Sequence, residues 1–199
     1  MALLLGLWAA PRIYHRLLGY LPAVQRANWA LIMEQKKREL SVRWQDPRPL
    51  IIFAGDSEVE FGDWYDFWGG AWAVRNCGLS SARIADVTEL VKAIGDSRPR
   101  CVVLMCGVNN LGKRESPEDC GRDYEDLLAA VRSHLQPESV LVLSVMPVRE
   151  GLADRGGRQF NAGVRELNTR LAACCRRHQV DFLDVTSAAT RPKTFQTIR

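Results

Sequence analysis

Leu50-Ile51-Ile52-Phe53-Ala54-Gly55-Asp56-Ser57 is the stretch whose reading decides the fold. Its first five residues are a short, branched and wholly apolar run, the pattern of a strand buried on both faces of a sheet. Glycine stops the run at once, and a serine follows two residues later. In open α/β sheets, ligands bind beyond the carboxyl ends of the strands. Ser57 therefore stands where a nucleophile would be useful. Glycine, aspartate and serine are also ordinary turn residues, so the tripeptide alone reads more readily as a plain turn.

Outward from this stretch, strands and helices alternate. Segments 73–76, 101–106, 139–146 and 180–185 read as further strands, and Cys101-Val102-Val103-Leu104-Met105-Cys106 has no polar position at all. Between them lie stripes with helical spacing: Ile84, Val87, Val91, Ile94; then Tyr124, Leu127, Leu128, Val131, Leu135; then Val164, Leu167, Leu171. Pro117 ahead of Glu118 and Asp119 predicts the start of the second of these helices. Such alternation implies right-handed crossovers and a parallel sheet with helices on both sides, a three-layer α/β/α domain. The expected division is a basic helical extension over 1–48, the α/β domain over 49–190 and a polar tail over 191–199. Arg155-Gly156-Gly157-Arg158 reads as a mobile surface loop.

Composition narrows the function classes. A chain of 199 residues can bury roughly 70% of its unfolded surface as one domain. The net charge of +4 comes from residues 1–48, which hold eight Lys/Arg against Glu34, Glu39 and Asp46. No basic stripe with aromatic support is present, so no nucleic-acid partner is expected. No G-x-G-x-x-G or P-loop opens a helix, which speaks against nucleotide binding. The six cysteines lack paired-ligand spacing and read as buried, reduced thiols. Met1–Ala10 is apolar but too short for a span of about 20 residues. Beside Arg12 and Arg16 it suits packing or an interfacial helix, so residues 1–40 can meet a membrane surface; the remnant of an anchor is the other reading. The expected location is cytoplasmic or peripheral to a membrane.

Each strand end carries a polar group: Ser57; then Asn76-Cys77-Gly78-Leu79-Ser80-Ser81; then Gly107-Val108-Asn109-Asn110; then Met146-Pro147-Val148. A serine oxygen with two or three N–H donors is what acyl transfer needs, an attacking atom and a cage for the developing oxyanion. These blocks, in this order, resemble the SGNH (GDSL-type) hydrolase family over about residues 44–187. The resemblance implies a five-stranded parallel sheet of flavodoxin-like order. It also implies esterase activity on a small-molecule or glycan ester, without metal or organic cofactor. Ser57 would be the nucleophile, with Asp56, Gly78 and Gly107 in support. The Ser81 backbone N–H and the Asn109 side chain would be oxyanion donors.

Two departures qualify the resemblance. Ser81 replaces the glycine usual in the second block, which puts a side chain near the reacting carbon. The family's final block, D-x-x-H, supplies the histidine base and its aspartate, yet Val185 to Arg199 contains none. The expectation is a truncated or frame-altered hydrolase, inactive or impaired in this form; a non-catalytic acyl- or carbohydrate-binding protein and a glycan O-acyltransferase are the alternatives. His15, His134 and His178 read as surface or packing residues, the last two on the opposite rim from Ser57. Glu58 and Glu60 read as solvated residues of a helix start, and Asp56 as a brace for the turn. Trp64, Tyr65, Phe67, Trp68 and Trp72 read as core packing or an apolar wall for the acyl group.

Overall fold

A computed structural model describes residues 22–68, 70–148 and 157–186. The chain divides into two compact units, Met1–Glu39 and Leu40–Arg199. Helix α1 (Pro22–Ser41) leaves Leu31 and Ile32 exposed. No described helix is long and apolar enough to cross a membrane. The apolar run Met1–Ala10 and the tail 191–199 lie outside the described residues.

The sheet holds β1 (Leu50–Gly55), β2 (Ala73–Gly78), β3 (Cys101–Met105), β4 (Ser139–Leu143) and β5 (Asp181–Leu183). All pairings are parallel, in the order β2-β1-β3-β4-β5. This is the flavodoxin-like order that the family resemblance implied. Around the sheet lie α2 (Ser57–Glu60), α3 (Trp64–Trp68), α4 (Ile84–Ala93), α5 (Val108–Gly112), α6 (Pro117–Ala130) and α7 (Gly157–His178).

Alternation along the strands sorts the core into two faces. Ile52, Ala54, Val102, Leu104 and Val142 are fully buried on one of them. Burying a Leu or Ile in this way stabilises by about 1.5–3 kcal/mol. On the other face, Ile51, Phe53, Val59, Val74, Val103 and Met105 form their own cluster, against which Trp64 and Trp72 pack. The Trp64 ring stacks on Phe53 with centroids 4.2 Å apart, and its Nε1 donates to Val59 O. The aromatic run is thus divided. Trp64 and Trp72 belong to the core, whereas Tyr65 is exposed and the side chains of Phe67 and Trp68 lie outside the description.

Several boundaries differ from those expected, each for a local reason. β4 stops at Leu143: Ser144 N still donates to Leu183 O of β5, but from Val145 onward side chains hold the segment. Asn168 grips both Val145 N (2.8 Å) and Val145 O (3.0 Å), and Asn161 does the same for Val148. β5 stops at Leu183 because Asp184 accepts from Thr186 N and turns the chain. α6 starts where the sequence placed it, with Ser116 capping Asp119 N and proline in the first turn. It ends in a π-helical turn, Val131–Leu135, that keeps both of those residues buried. Gly157 and Arg158 belong to the first turn of α7, not to a loop; Arg155 and Gly156 lie outside the described residues. Near the amino-terminal edge of the sheet, buried Arg75 on β2 donates to Leu40 O and Val42 O, with its guanidinium 5.6 Å from the Trp44 ring centre. Carbonyls and an aromatic face thus take the place of water around that charge.

Candidate active site

β1 ends at Gly55 because the neighbouring backbone leaves no room for a side chain. A Cβ there would lie 2.0 Å from Met105 O and 2.6 Å from Val59 Cγ2. The same approach lets Asp56 N donate to Met105 O, and the chain then turns straight into α2. The Asp56 side chain accepts from Glu58 N at 3.1 Å, so it braces the turn as expected. Ser57 is the first residue of α2 and is partly buried.

Burial pushes the Asp56 carboxyl up from 3.8 to about 6, the Glu58 charge adds to this, and the Glu58 N–H bond opposes it. The folded state therefore holds the proton more tightly than the unfolded chain does. That contribution to stability is complete below about pH 4 and is lost as pH rises through about 6, at a cost of about 3 kcal/mol. Asp56→Asn keeps an oxygen acceptor for the cap but carries no charge. Its urea-measured stability relative to wild type is expected to improve between pH 4 and pH 7. A difference that stays flat across that interval would remove the buried-carboxyl account.

The end of β2 is fastened to α2. Asn76 Nδ2 donates to Val59 O (2.9 Å) and Glu60 O (3.1 Å), while its Oδ1 accepts from Gly78 N (2.9 Å). A Cβ at Gly78 would fall 2.3 Å from Glu60 N, so this contact also requires glycine. Glu58 is exposed as expected, but Glu60 is not simply solvated. Its Oε2 accepts from Ser80 N at 2.8 Å and from Ser80 Oγ, tying α2 to the loop after β2. Ser81 follows with φ 67°, the left-handed region that glycine enters freely. The unusual serine therefore occupies a backbone conformation suited to the usual glycine, and it is exposed.

The loop after β3 contains Gly107, φ 130°, a conformation that also favours glycine. Asn109 on α5 donates through Nδ2 to Ala82 O at 3.0 Å. A carboxamide has two N–H donors, and among the described residues only one is used here. Buried Asn110 accepts from Ile84 N (3.0 Å) and donates to Glu115 Oε2 (2.5 Å), which seats the start of α4 on this loop. Leu79 N donates to Gly55 O, which joins the first and second loops as well.

Three loops from adjacent strands are therefore bonded into one rim, with Ser57, Ser81 and Asn109 each on a different loop. Asn76, Glu60, Asn161 and Asn168 are positioning residues that the sequence reading did not assign. The signal for the last two was polarity at i, i+7 beside the apolar stripe of α7. His134 and His178 lie at the opposite edge of the sheet, His134 Nε2 2.9 Å from Ile94 O and His178 at the end of α7. His15 lies outside the described residues. None of the six cysteines forms a disulfide, and all but Cys101 are buried, among them Cys77 beside the rim.

The family model of the GDSL-like lipase/acylhydrolase family matches residues 44–197. No curated protein matches the chain. Among solved structures, a Streptococcus pneumonia protein assigned as a candidate platelet activating factor is similar at 23% identity and TM-score 0.69, covering 85% of this chain and 83% of its own. A GDSL-like lipase of Bacteroides thetaiotaomicron is similar at 16% identity and TM-score 0.61, covering 81% of each chain. AlinE4, an SGNH-hydrolase family esterase, is similar at 16% identity and TM-score 0.56, covering 78% of this chain and 87% of its own.

Proposed function

Because the chain belongs to the GDSL-like lipase/acylhydrolase family, we propose that the rim carrying Ser57 is an acyl-transfer site for a carboxylic ester. The substrate class is a small molecule or glycan bearing a short acyl group such as acetyl. The observation that carries the reading is the bonding of three strand-end loops into one rim, through Leu79 N to Gly55 O, Asp56 N to Met105 O and Asn109 Nδ2 to Ala82 O. That bonding fixes donors before substrate arrives, which is how an oxyanion site works.

In the proposed reaction Ser57 Oγ attacks the ester carbonyl carbon as its proton passes to a base, which then protonates the departing alcohol. The carbonyl oxygen becomes an oxyanion held by the N–H groups of Ser57 and Ser81 and the second Nδ2 hydrogen of Asn109. Collapse releases the alcohol and leaves an acyl-serine, which water hydrolyses. Each step needs a base near Ser57. The residues after Asp184 contain no D-x-x-H, and both described histidines lie at the far edge. Loss of the base in serine hydrolases costs up to about 10⁶ in turnover. These 199 residues should therefore hydrolyse esters no faster than Ser57→Ala.

Added imidazole supplies an external base and makes the site testable. The expected result is equal background hydrolysis of p-nitrophenyl acetate by wild type and Ser57→Ala in plain buffer, with wild type the faster once imidazole is present. Ser57-dependent turnover at ordinary enzyme rates without imidazole would mean that a base already stands near Ser57. No Ser57 dependence even with imidazole would discard acyl transfer. The second reading, a site that only binds an acyl or carbohydrate ligand, would then stand; the far-edge placement of both described histidines is the observation that favours it.

A further inference from the structure

We propose that Glu125, Cys174 and His178 form a zinc-type metal site that clamps the end of α7 to α6. Cys174 and His178 are four residues apart on α7 and so share one helical face. Glu125 comes from α6, which packs against α7. The ligand atoms of all three lie within 4.8 Å of one another. In a tetrahedral zinc site, with bonds of about 2.0–2.3 Å, ligand atoms stand roughly 3.3–3.8 Å apart. Binding requires side-chain rotations that close this difference.

The donor set selects the metal. A thiolate and an imidazole favour zinc and its neighbours over magnesium or calcium, which prefer oxygen. On binding, the Cys174 S–H bond breaks, its proton passes to solvent and a sulfur–metal bond forms. Thiolate and carboxylate together then balance the two positive charges, and a fourth position remains for water. Neither the Cys174 thiol nor the His178 ring is hydrogen-bonded to another described residue. Glu125 is paired with Arg177, whose side chain is 59% exposed. An exposed ion pair is a weak competitor for a metal.

The position indicates a structural role. Ser57 follows the carboxyl end of β1, whereas the end of α7 leads into the amino end of β5, so the two sites occupy opposite edges of a parallel sheet. β5 is only three residues long, and Arg132 already donates to His178 O beside it. A metal here would pin the turn from which β5 starts.

Cobalt(II) provides a coloured probe of the reduced 199-residue chain. One equivalent is expected to give a near-ultraviolet thiolate-to-cobalt band, the intense visible bands of tetrahedral coordination and release of one proton; zinc should displace it. Cys174→Ser and His178→Ala should each abolish the thiolate band, with the fold checked by circular dichroism, while Cys175→Ala should retain it. Glu125→Gln should weaken cobalt binding by at least roughly tenfold. Absence of the band, its survival in His178→Ala, its loss in Cys175→Ala or unchanged affinity in Glu125→Gln would each overturn the three-ligand site.

Discussion

Gly55→Ala is expected to lower stability by about 3 kcal/mol or more, at or beyond the upper end of usual overpacking costs. The added methyl carbon would meet Met105 O at 2.0 Å and Val59 Cγ2 at 2.6 Å. Met105 O is backbone at the end of β3 and already accepts from Asp56 N, so it cannot withdraw without breaking that bond. Relief must therefore come from separating β1 and β3 or from displacing α2, and either would move Ser57. Typical domains hold only about 5–15 kcal/mol in total, so a large drop in urea midpoint or loss of soluble protein is the expected readout. Gly112→Ala is the control, because a Cβ there meets nothing within 4 Å. Equal midpoints for Gly55→Ala and wild type would mean that the two strand ends do not approach as described.

Asn109→Ala is expected to lower the Ser57-dependent, imidazole-supported rate by about 10²–10³, the usual cost of removing one oxyanion donor. Its stability should fall much less, since the single bond to Ala82 O is worth about 1 kcal/mol. The contrast separates a donor to the reacting oxygen from a residue that merely holds the loop. A large stability loss with an unchanged Ser57-dependent rate would reverse the assignment. This measurement addresses the oxyanion cage and the imidazole comparison the nucleophile, so the cage assignment can fail while the nucleophile stands.

Much of the fold could be read from local patterns because those patterns answer to short-range physics. The apolar runs of β1 and β3, the Ser116-Pro117 helix start and the stripe Tyr124–Leu135 depend on neighbours within a few residues. Alternation of strands and helices then restricts the topology. The motif order placed Ser57, Ser81 and Asn109 after strands that proved adjacent in the sheet. Glu60 could not be read in this way. Its partner, Ser80, lies twenty residues away, and only the meeting of α2 with the loop after β2 removes the carboxylate from water. For Asn161 and Asn168 the helical spacing was visible but their role was not, because the backbone they hold belongs to another element. The same applies to the end of β4, where competition from those side chains shortens an otherwise continuous apolar run.

The amino-acid order by itself determined the layer architecture, the strand sequence and which residues stand at strand ends, because hydrophobic period and turn chemistry are properties of neighbouring residues. Only the tertiary structure decided which loops are bonded together, why Gly55 and Gly78 admit no side chain, and that Glu125, Cys174 and His178 converge. Those outcomes depend on close approaches between segments distant in sequence, where a few tenths of an ångström set the interaction.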